Sequence, residues 1–586
     1  MVLSAASAAA GGALPADTPE GGDSRARGQL GFDALMRGSD PGEPVDFSYY
    51  APQTGAETAL PRNRFEGRLR LSGAASSGGF AEVADRYDAT DARDSPRKHL
   101  PEFDFELVQA GSHLIPLRRD SVANAHPDWE FVLTPGRVWD EPGDHGYSRA
   151  ALPFALQQKN ANCIHNGVLT FLFKNDGSVS KAAYQVASET CVYFKADFWG
   201  LLPATYTPQA VRGADGLIAG YRAEVASHMP AKPLSALAKA YPGTDVAKFS
   251  APNGKDPREI SLAGFVIDGT HYSGGCATRH GAYPYCESLV VPSYSLAKSV
   301  FAGLAMMRLE QRYPGTFGQR IADYVPACAA AGDWGDVSFG NALDMATGHY
   351  ASAVYMRDED GDTASADSLF QAERHADKIG YACTHYRRKA APGSKWVYRT
   401  GDTYVLGTAM SALLQDKPFE EGRGGNADLF DDVLLRDVLQ PLHVSRTAQS
   451  TRRSYDAARQ PFTGWGLMWL RDDMAKIGQF LAAGSRSQSM LDQAQLDAAL
   501  QRNPQDRGLV PLPGFRYNNG FWAYEIGAKL PGCKGEAWVP FLSGYGGITM
   551  LILPNGSAYY YVSDDDSPLW LDAAREAHRI RSLCPS

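Results

Sequence analysis

At 586 residues the chain exceeds what one ordinary hydrophobic core covers, so two domains are expected. With 44% hydrophobic and 21% charged residues it has a globular composition, and a net charge of -9 with scattered arginine and lysine argues against a surface that tracks nucleic-acid phosphates. No run approaches the roughly 18 apolar residues of a membrane span.

Residues 1–45 are small, polar and rich in glycine, alanine and proline, and read as an unstructured leader. "ALPA" before Asp17 could close a signal peptide that has lost its front, but the basic start and leucine-rich centre of such a peptide are missing, so a plain flexible leader stays equally open. Residues 46–230 carry strand signals. "NGVLTFLFKNDGSVSKAAYQVA" is two apolar runs around an Asn-Asp-Gly turn, a hairpin pattern, and "FDFELVQAG", "DWEFVLTPG" and "CVYFKADFW" add short strands bounded by turn residues. A β-sandwich or similar β-rich accessory domain is expected. The proline-rich stretch 229–258, interrupted by "LSALAKAY", reads as the domain junction, which puts the second domain at 231–586.

Beyond the junction, "ISLAGFVIDGTHY" and "SLVVPSY" read as strands, and "SLAKSVFAGLAMMRLEQRY" has apolar positions at helical spacing for about five turns. "RDDMAKIGQFLAAG" is a second amphipathic helix with acids in its first turn. "ITMLILPNGSAYYYVS" is a strand, an Asn-Gly turn and a strand, followed by "SPLWLDAAREAHRIRSL", where Ser567 can cap and Pro568 can take the first helical position. Strands, then helices, then strands and a last helix imply an antiparallel sheet with helices packed on it.

Eight cysteines, at 163, 191, 276, 286, 328, 383, 533 and 584, show no Cys-x-x-Cys or His-rich clustering of the kind that holds zinc. The near neighbours Cys163 with Cys191 and Cys276 with Cys286 suit disulfides, and Cys533 with Cys584 would tie the tail to a late loop. With the leader, this tilts the chain towards an oxidising compartment, periplasmic or secreted.

Ser-x-x-Lys occurs three times: Ser95 with Lys98, Ser178 with Lys181, and Ser295 with Lys298. Only Ser295 stands where a strand hands over to a long apolar helix. There i and i+3 share a helix face, which brings the lysine amine beside the serine oxygen, and the helix start offers free N–H groups to an oxyanion. For Lys298 to act as a base its amine must be neutral, and bringing a lysine from about 10.4 towards 7 takes roughly 4 to 5 kcal/mol of differential solvation, which burial can supply. Leu296, Ala297, Val300 and Phe301 provide apolar surroundings. Taken alone, the pair also fits a capping serine with a solvated lysine. Two later stretches favour chemistry. "PGSKWVYRTGDTYVLGTAM" puts Tyr398 after a Pro-Gly turn and before a helix, where a phenol beside an ammonium could be partly ionised and relay a proton. "FLSGYGGITMLILP" puts glycines before an apolar strand, where an unobstructed edge could offer an N–H to a carbonyl.

In this order the stretches resemble the serine β-lactamase and penicillin-binding-protein superfamily, above all its class C-like esterases, D-peptidases and nylon-oligomer hydrolases, over about residues 235–586. "IADYVPACAAAGDWGDVSFGNALDMATGHY", with Thr347-Gly348-His349 as the turn, and "GWGLMWLRDDMAKIGQF" are similar to two further family stretches. The resemblance implies an α+β fold of three layers, an antiparallel sheet with helices on both faces. It makes Ser295 the nucleophile, Lys298 its base and Tyr398 the second-motif tyrosine. The Ser295 and Tyr545 N–H groups become the oxyanion donors, Gly544, Arg399 and Tyr350 line the substrate, and no cofactor or metal is implied. Two motifs depart from the pattern. Tyr-x-Asn is replaced by Tyr398-Arg399-Thr400, and the third motif, usually Lys-Thr-Gly or His-x-Gly, is Leu542-Ser543-Gly544 or Tyr545-Gly546-Gly547, with no cation. The first alignment is preferred because Tyr545 would then begin the strand edge. Without that cation a substrate carboxylate lacks its partner, so a neutral ester or amide fits better than a penicillin or a peptide C-terminus. Arg399 could substitute if it pointed inward, although its place directly after Tyr398 directs it the other way.

Other candidates are weaker. "GYSRA" misses the last glycine of a nucleophile elbow and no helix follows it. "DEDGDTASAD" (Asp358, Asp360, Asp362) alternates like a calcium loop but misplaces the glycine and lacks the final glutamate, so it reads as a solvated acidic loop. His349 and His385 have no ligand-spaced partner. The expected function is a serine hydrolase that cleaves an ester or amide through an acyl-enzyme on Ser295. The alternatives are a β-lactamase or D,D-peptidase, and a non-catalytic binding protein on the same fold.

Overall fold

The computed structural model describes residues 28–38, 41–52, 60–73, 78–88, 90, 95–361, 363–417, 427–483, 490–567 and 570–585. The first part of the leader, with the signal-peptide reading, and Asp362 and Pro568 lie outside these residues.

From Glu66 to Pro208 the described chain forms one eleven-stranded antiparallel sheet. Its strands lie in the order Ala204–Pro208, Glu66–Leu71, Phe103–Ala110, His113–Pro116, Gly136–Trp139, Ser148–Gln158, Ile164–Phe173, Ala182–Thr190, Phe194–Leu202 and Gly79–Asp85, with Trp129–Leu133 beside Ser148–Gln158. Period-two alternation assigns each side chain to a face. Ala150, Leu152, Phe154 and Leu156 enter one core, and Ala151 the other. Trp129 lies 6.4 Å from Phe198, although three strands separate them in the sheet. The sheet therefore curls around its own core, and the β-rich domain expected from the sequence is a single bent layer rather than two packed sheets. Alternation tells inside from outside and carries no information on curvature.

The leader is shorter than the sequence suggested. Residues from Gly28 onward are placed, and Leu30, Leu35, Val45, Phe47 and Tyr50 are buried against the outer face of the curled sheet and the second domain. Five large apolar side chains outweigh the glycine-rich composition around them.

The second unit is built on an eight-stranded sheet in the order Ala231–Pro233, Thr270–Gly275, Ile260–Ile267, Ala558–Ser563, Ile548–Ile552, Trp538–Gly544, Phe521–Glu525 and Phe515–Asn518. All neighbours are antiparallel except the edge strand Ala231–Pro233. Ile548, Met550 and Ile552 face helix Arg471–Ala483, while Leu551 and Leu553 face helix Leu571–Ile580, giving three layers. Gly478 brings the first helix close, since a Cβ there would lie 2.9 Å from Ala558 Cβ. The last helix begins at Leu571 with Trp570 at its cap position, later than Ser567 and Pro568 suggested. "SLVVPSY" contributes only the short strand Val291–Pro292, paired with Met468–Trp469.

The curled sheet docks tightly on the second unit. Arg452 of the second unit pairs with Glu130 at 2.7 Å, both nearly buried, and Arg279 binds Glu189 and Asp197. Cys163–Cys191, Cys276–Cys286, Cys328–Cys383 and Cys533–Cys584 are disulfides, and no described cysteine is free. Among the described residues no helix is long and apolar enough to cross a membrane.

Candidate active site

Ser295 sits on the turn between strand Val291–Pro292 and the helix that runs on through Leu304–Arg312. The residue before it, Tyr294, has φ of 40°, a left-handed backbone that a bulky side chain adopts at a cost of about 1–3 kcal/mol unless its surroundings fix it. The surroundings here come from the curled sheet. Asn162 Oδ1 accepts from Tyr294 N at 2.7 Å, Ser293 Oγ at 3.2 Å and Gly466 N at 3.1 Å. Asn166 meanwhile closes a two-bond pair with the Val290 backbone, at 2.8 and 2.9 Å. Two amides of the first domain thus hold both ends of the segment that presents Ser295.

Lys298 opens a π-helical stretch, Lys298–Gly303, and is 2% exposed. Its Nζ lies 2.8 Å from Ser295 Oγ, 2.7 Å from Thr400 Oγ1 and 3.5 Å from Gly464 O, and sits 4.7 Å above the Tyr398 ring. Burial pulls its ammonium down to about 8, against the opposing charges of Glu359 and Asp360. The Tyr398 phenol lies near enough to Ser295 to be stabilised by it as an anion. Burial, and then the Glu359 charge, hold this phenol well above its ordinary range, outweighing that effect of Ser295. The partly ionised phenolate considered from the sequence is therefore disfavoured: Tyr398 is a neutral O–H, and Lys298 meets its ring face.

The strand Trp538–Gly544 ends against the serine turn. A Cβ on Gly544 would lie 2.9 Å from Ser293 O, 3.0 Å from Leu296 Cδ1 and 3.3 Å from Tyr294 Cβ, so only glycine permits this approach. Gly547 instead abuts Ser563 and Ser567, which favours Leu542-Ser543-Gly544 as the stretch beside the serine. Tyr545 does not begin a strand; it opens the turn after Gly544, with its ring 5.8 Å from Tyr294 and 6.4 Å from Tyr193 of the first domain. Neither the Ser295 nor the Tyr545 N–H has a protein acceptor among the described residues.

Two sequence candidates lie elsewhere. Arg399 is buried with its guanidinium over the Tyr386 ring, donating to His349 O and pairing with Asp402 at 3.2 Å. It faces away from Ser295 and does not replace the missing cation, because Arg399 lies in extended backbone just before the helix (φ -149°, ψ 110°), where successive side chains point to opposite sides. Tyr350 N donates to Arg387 O, and the Tyr350 ring lies under Lys389 Nζ at 5.8 Å; these contacts belong to a loop outside the serine cluster. The Ser148 of "GYSRA" is a fully buried strand residue that donates to Asp140.

Two residues were missed. Asn162 lies 133 positions before Ser295 and only the tertiary structure brings it there. Glu359 belongs to the acidic run read as solvated, yet it is 9% exposed, accepts from Thr400 N at 2.9 Å and binds Thr400 Oγ1 in a short hydrogen bond. Asp358 of the same run is also buried, accepting from Ala351 N and Ser352 N, so the loop folds inward on backbone donors. The sequence signal available was Thr400 itself, a hydroxyl where the family has an amide.

A lysine aligned on a serine oxygen, a phenol beside the same pair and two open N–H groups form the class of site used for acyl transfer to serine. The family model described as Beta-lactamase matches residues 258–581, more than half of the chain, and the protein belongs to that family. Similar solved structures include EstCE1, a hydrolase with promiscuous acyltransferase activity (16% identity, 60% of this chain and 98% of that one, TM-score 0.42). A beta-lactamase/D-alanine carboxypeptidase from Pseudomonas syringae is 12% identical over 54% and 92% of the chains, TM-score 0.38, and a class C beta-lactamase is 14% identical over 55% and 89%, TM-score 0.37. No curated protein matches the chain in sequence.

Proposed function

We propose that the protein is a serine hydrolase that cleaves a neutral ester or amide through an acyl-enzyme on Ser295. The observation that carries this reading is the 2.8 Å contact between a buried Lys298 Nζ and Ser295 Oγ. As a free amine Lys298 takes the Ser295 proton while Oγ attacks the carbonyl carbon. The resulting oxyanion lies between the Ser295 and Tyr545 N–H groups, and the Tyr398 O–H protonates the departing oxygen or nitrogen. The Lys298 ammonium then returns a proton to the Tyr398 oxygen, water attacks the acyl group as Lys298, directly or through Tyr398, takes its proton, and that proton passes to the departing Ser295 Oγ. The choice of a neutral substrate is supported by Leu542-Ser543-Gly544, which has no cation, and by the outward course of Arg399. Four disulfides are compatible with a periplasmic or secreted protein, which is where we place it.

Hydrolysis of small p-nitrophenyl esters tests the reading. Ser295→Ala should abolish turnover with an unchanged circular dichroism spectrum, while Ser95→Ala and Ser178→Ala keep it. Near wild-type turnover by the Ser295 variant would remove the nucleophile assignment.

A further inference from the structure

Beside the serine cluster the fold presents an aromatic surface that the acyl-transfer chemistry leaves unused. Among the described residues seven large apolar side chains are exposed, and only two of them, Val354 at 67% and Tyr355 at 48%, are neighbours in the chain. One face of the Tyr355 ring lies against Trp396, 6.2 Å away and inclined by 12°, an offset stack, and Trp522 meets the ring at 79° and 6.4 Å. The exposure of Tyr355 therefore belongs to its opposite face. Behind it Trp396, Tyr517, Trp522 and Phe541 are all buried and packed ring on ring, so the surface is firmly backed. Trp396 stands two residues before Tyr398, and their rings are 5.9 Å apart. The shelf thus continues outward from the Tyr398 phenol, whose ring lies 4.7 Å from Lys298 Nζ.

The loop that carries Tyr355 is tied to the helix start beside Lys298. Asp358 accepts from Ala351 N and Ser352 N, at 2.6 and 2.9 Å, and its carbonyl accepts from the Tyr386 hydroxyl at 2.9 Å. Glu359 accepts from Thr400 N at 2.9 Å, and Thr400 Oγ1 is 2.7 Å from Lys298 Nζ. Tyr355 is therefore held in place before any substrate arrives, and a preorganised aromatic face costs little entropy to use. The Asp360 carboxylate acts on Tyr355, on Lys298 and on Tyr545 alike, which puts this loop along the mouth of the site. With Asp360 there and Arg399 turned away, an anionic ring would meet a like charge and no partner. We propose that the open face of Tyr355, with Val354 beside it and Trp396 behind, binds an uncharged aromatic group on the leaving alcohol or amine of the substrate; this rests on the serine-hydrolase reading above. Tyr398 sets the side: the atom it protonates is the one that departs, and the group attached to that atom lies over the shelf that continues from Tyr398.

The test compares kcat/KM on the full chain for benzyl acetate, ethyl acetate and ethyl phenylacetate, which carry the ring on the alcohol, nowhere, and on the acid. Wild type should favour benzyl over ethyl acetate by about tenfold or more, and Tyr355→Ala should lower that ratio by about tenfold. Tyr355→Phe, which keeps the ring, should hold the ratio within about twofold of wild type. The ratio of ethyl phenylacetate to ethyl acetate should not follow the Tyr355→Ala change, and wild type should use 4-carboxybenzyl acetate less well than benzyl acetate. A Tyr355→Ala protein that loses both acetates in proportion has lost only structure, and that result overturns the proposal. So does an equal fall in the ethyl phenylacetate ratio, which would put the ring on the acyl side. Thermal melts confirm folding; should Tyr355→Ala not fold, the benzyl to ethyl ratio in Val354→Asp, a change at a more exposed position, decides with the same sign. Wild type that a fluorophosphonate does not label on Ser295 removes the hydrolase reading and this inference with it. Labelled wild type with no preference for benzyl acetate removes the aromatic subsite alone.

Discussion

Replacing Asn162 with alanine tests whether the first domain is part of the catalytic apparatus. Asn162 is 1% exposed, and its side-chain oxygen is the acceptor for the Tyr294 and Gly466 backbone N–H groups and for the Ser293 hydroxyl. Truncation leaves two buried backbone donors unpaired, each costing about 1–3 kcal/mol, and removes the restraint on Tyr294, whose φ of 40° stores a further cost of about 1–3 kcal/mol. Relaxation of the turn recovers part of this sum by moving Ser295 out of line with Lys298. If about 2–2.7 kcal/mol appears in the barrier, kcat falls by about 30- to 100-fold, while KM, which does not depend on that alignment, stays within about threefold. The assay is steady-state ester hydrolysis, with Ser295→Ala as the blank and a thermal melt to show that the fold persists. An Asn162→Ala protein with kcat within about twofold of wild type would refute the reasoning, because the turn would then hold its shape without the first domain.

Three further outcomes follow from the same structure. Neutral esters or amides should exceed penicillins and D-alanyl-D-alanine peptides in kcat/KM by at least about a hundredfold, roughly 2.7 kcal/mol, measured on one preparation; equal rates would mean that a cation reaches the site after all. Thiol titration of protein from its native compartment, denatured without reductant, should find almost none of the eight cysteines free, whereas eight free thiols would place it in a reducing compartment. Arg452→Met leaves Glu130 buried without its counter-charge, held only by the Ser121 and Tyr455 hydroxyls, and should cost about 3 kcal/mol in urea unfolding, with Glu130→Gln in the same chain recovering most of it; an unchanged urea midpoint would show that the pair does not hold the interface.

The contact between Ser295 and Lys298 was legible in the sequence because it is local: i and i+3 on the first turn of a helix, in an apolar run that favours burial. The layered sheet was legible for the same reason, since alternating apolar positions in "ITMLILPNGSAYYYVS" assign Met550 and Leu551 to opposite faces. The rest depends on where distant segments meet. Nothing around Asn162 distinguishes it from a loop asparagine until strand Ile164–Phe173 is laid against the Val290–Tyr294 segment. Glu359 was hidden by its neighbours, since an acidic run promises solvation and gives no sign that backbone donors will draw it inward. The fourth disulfide, Cys328–Cys383, joins two helices that only the packed domain brings together. Curvature of the first sheet was likewise beyond a pattern that records only which face each residue takes.

Labelling by a fluorophosphonate probe, followed by peptide mass spectrometry to locate the adduct, tests the central claim most directly. A serine activated by a buried lysine should react covalently and stoichiometrically, with the adduct on the peptide that carries Ser295 and none in Ser295→Ala or in heat-denatured protein. A folded protein that takes up no label, or that carries it on another serine, would contradict the assignment of Ser295 as the nucleophile.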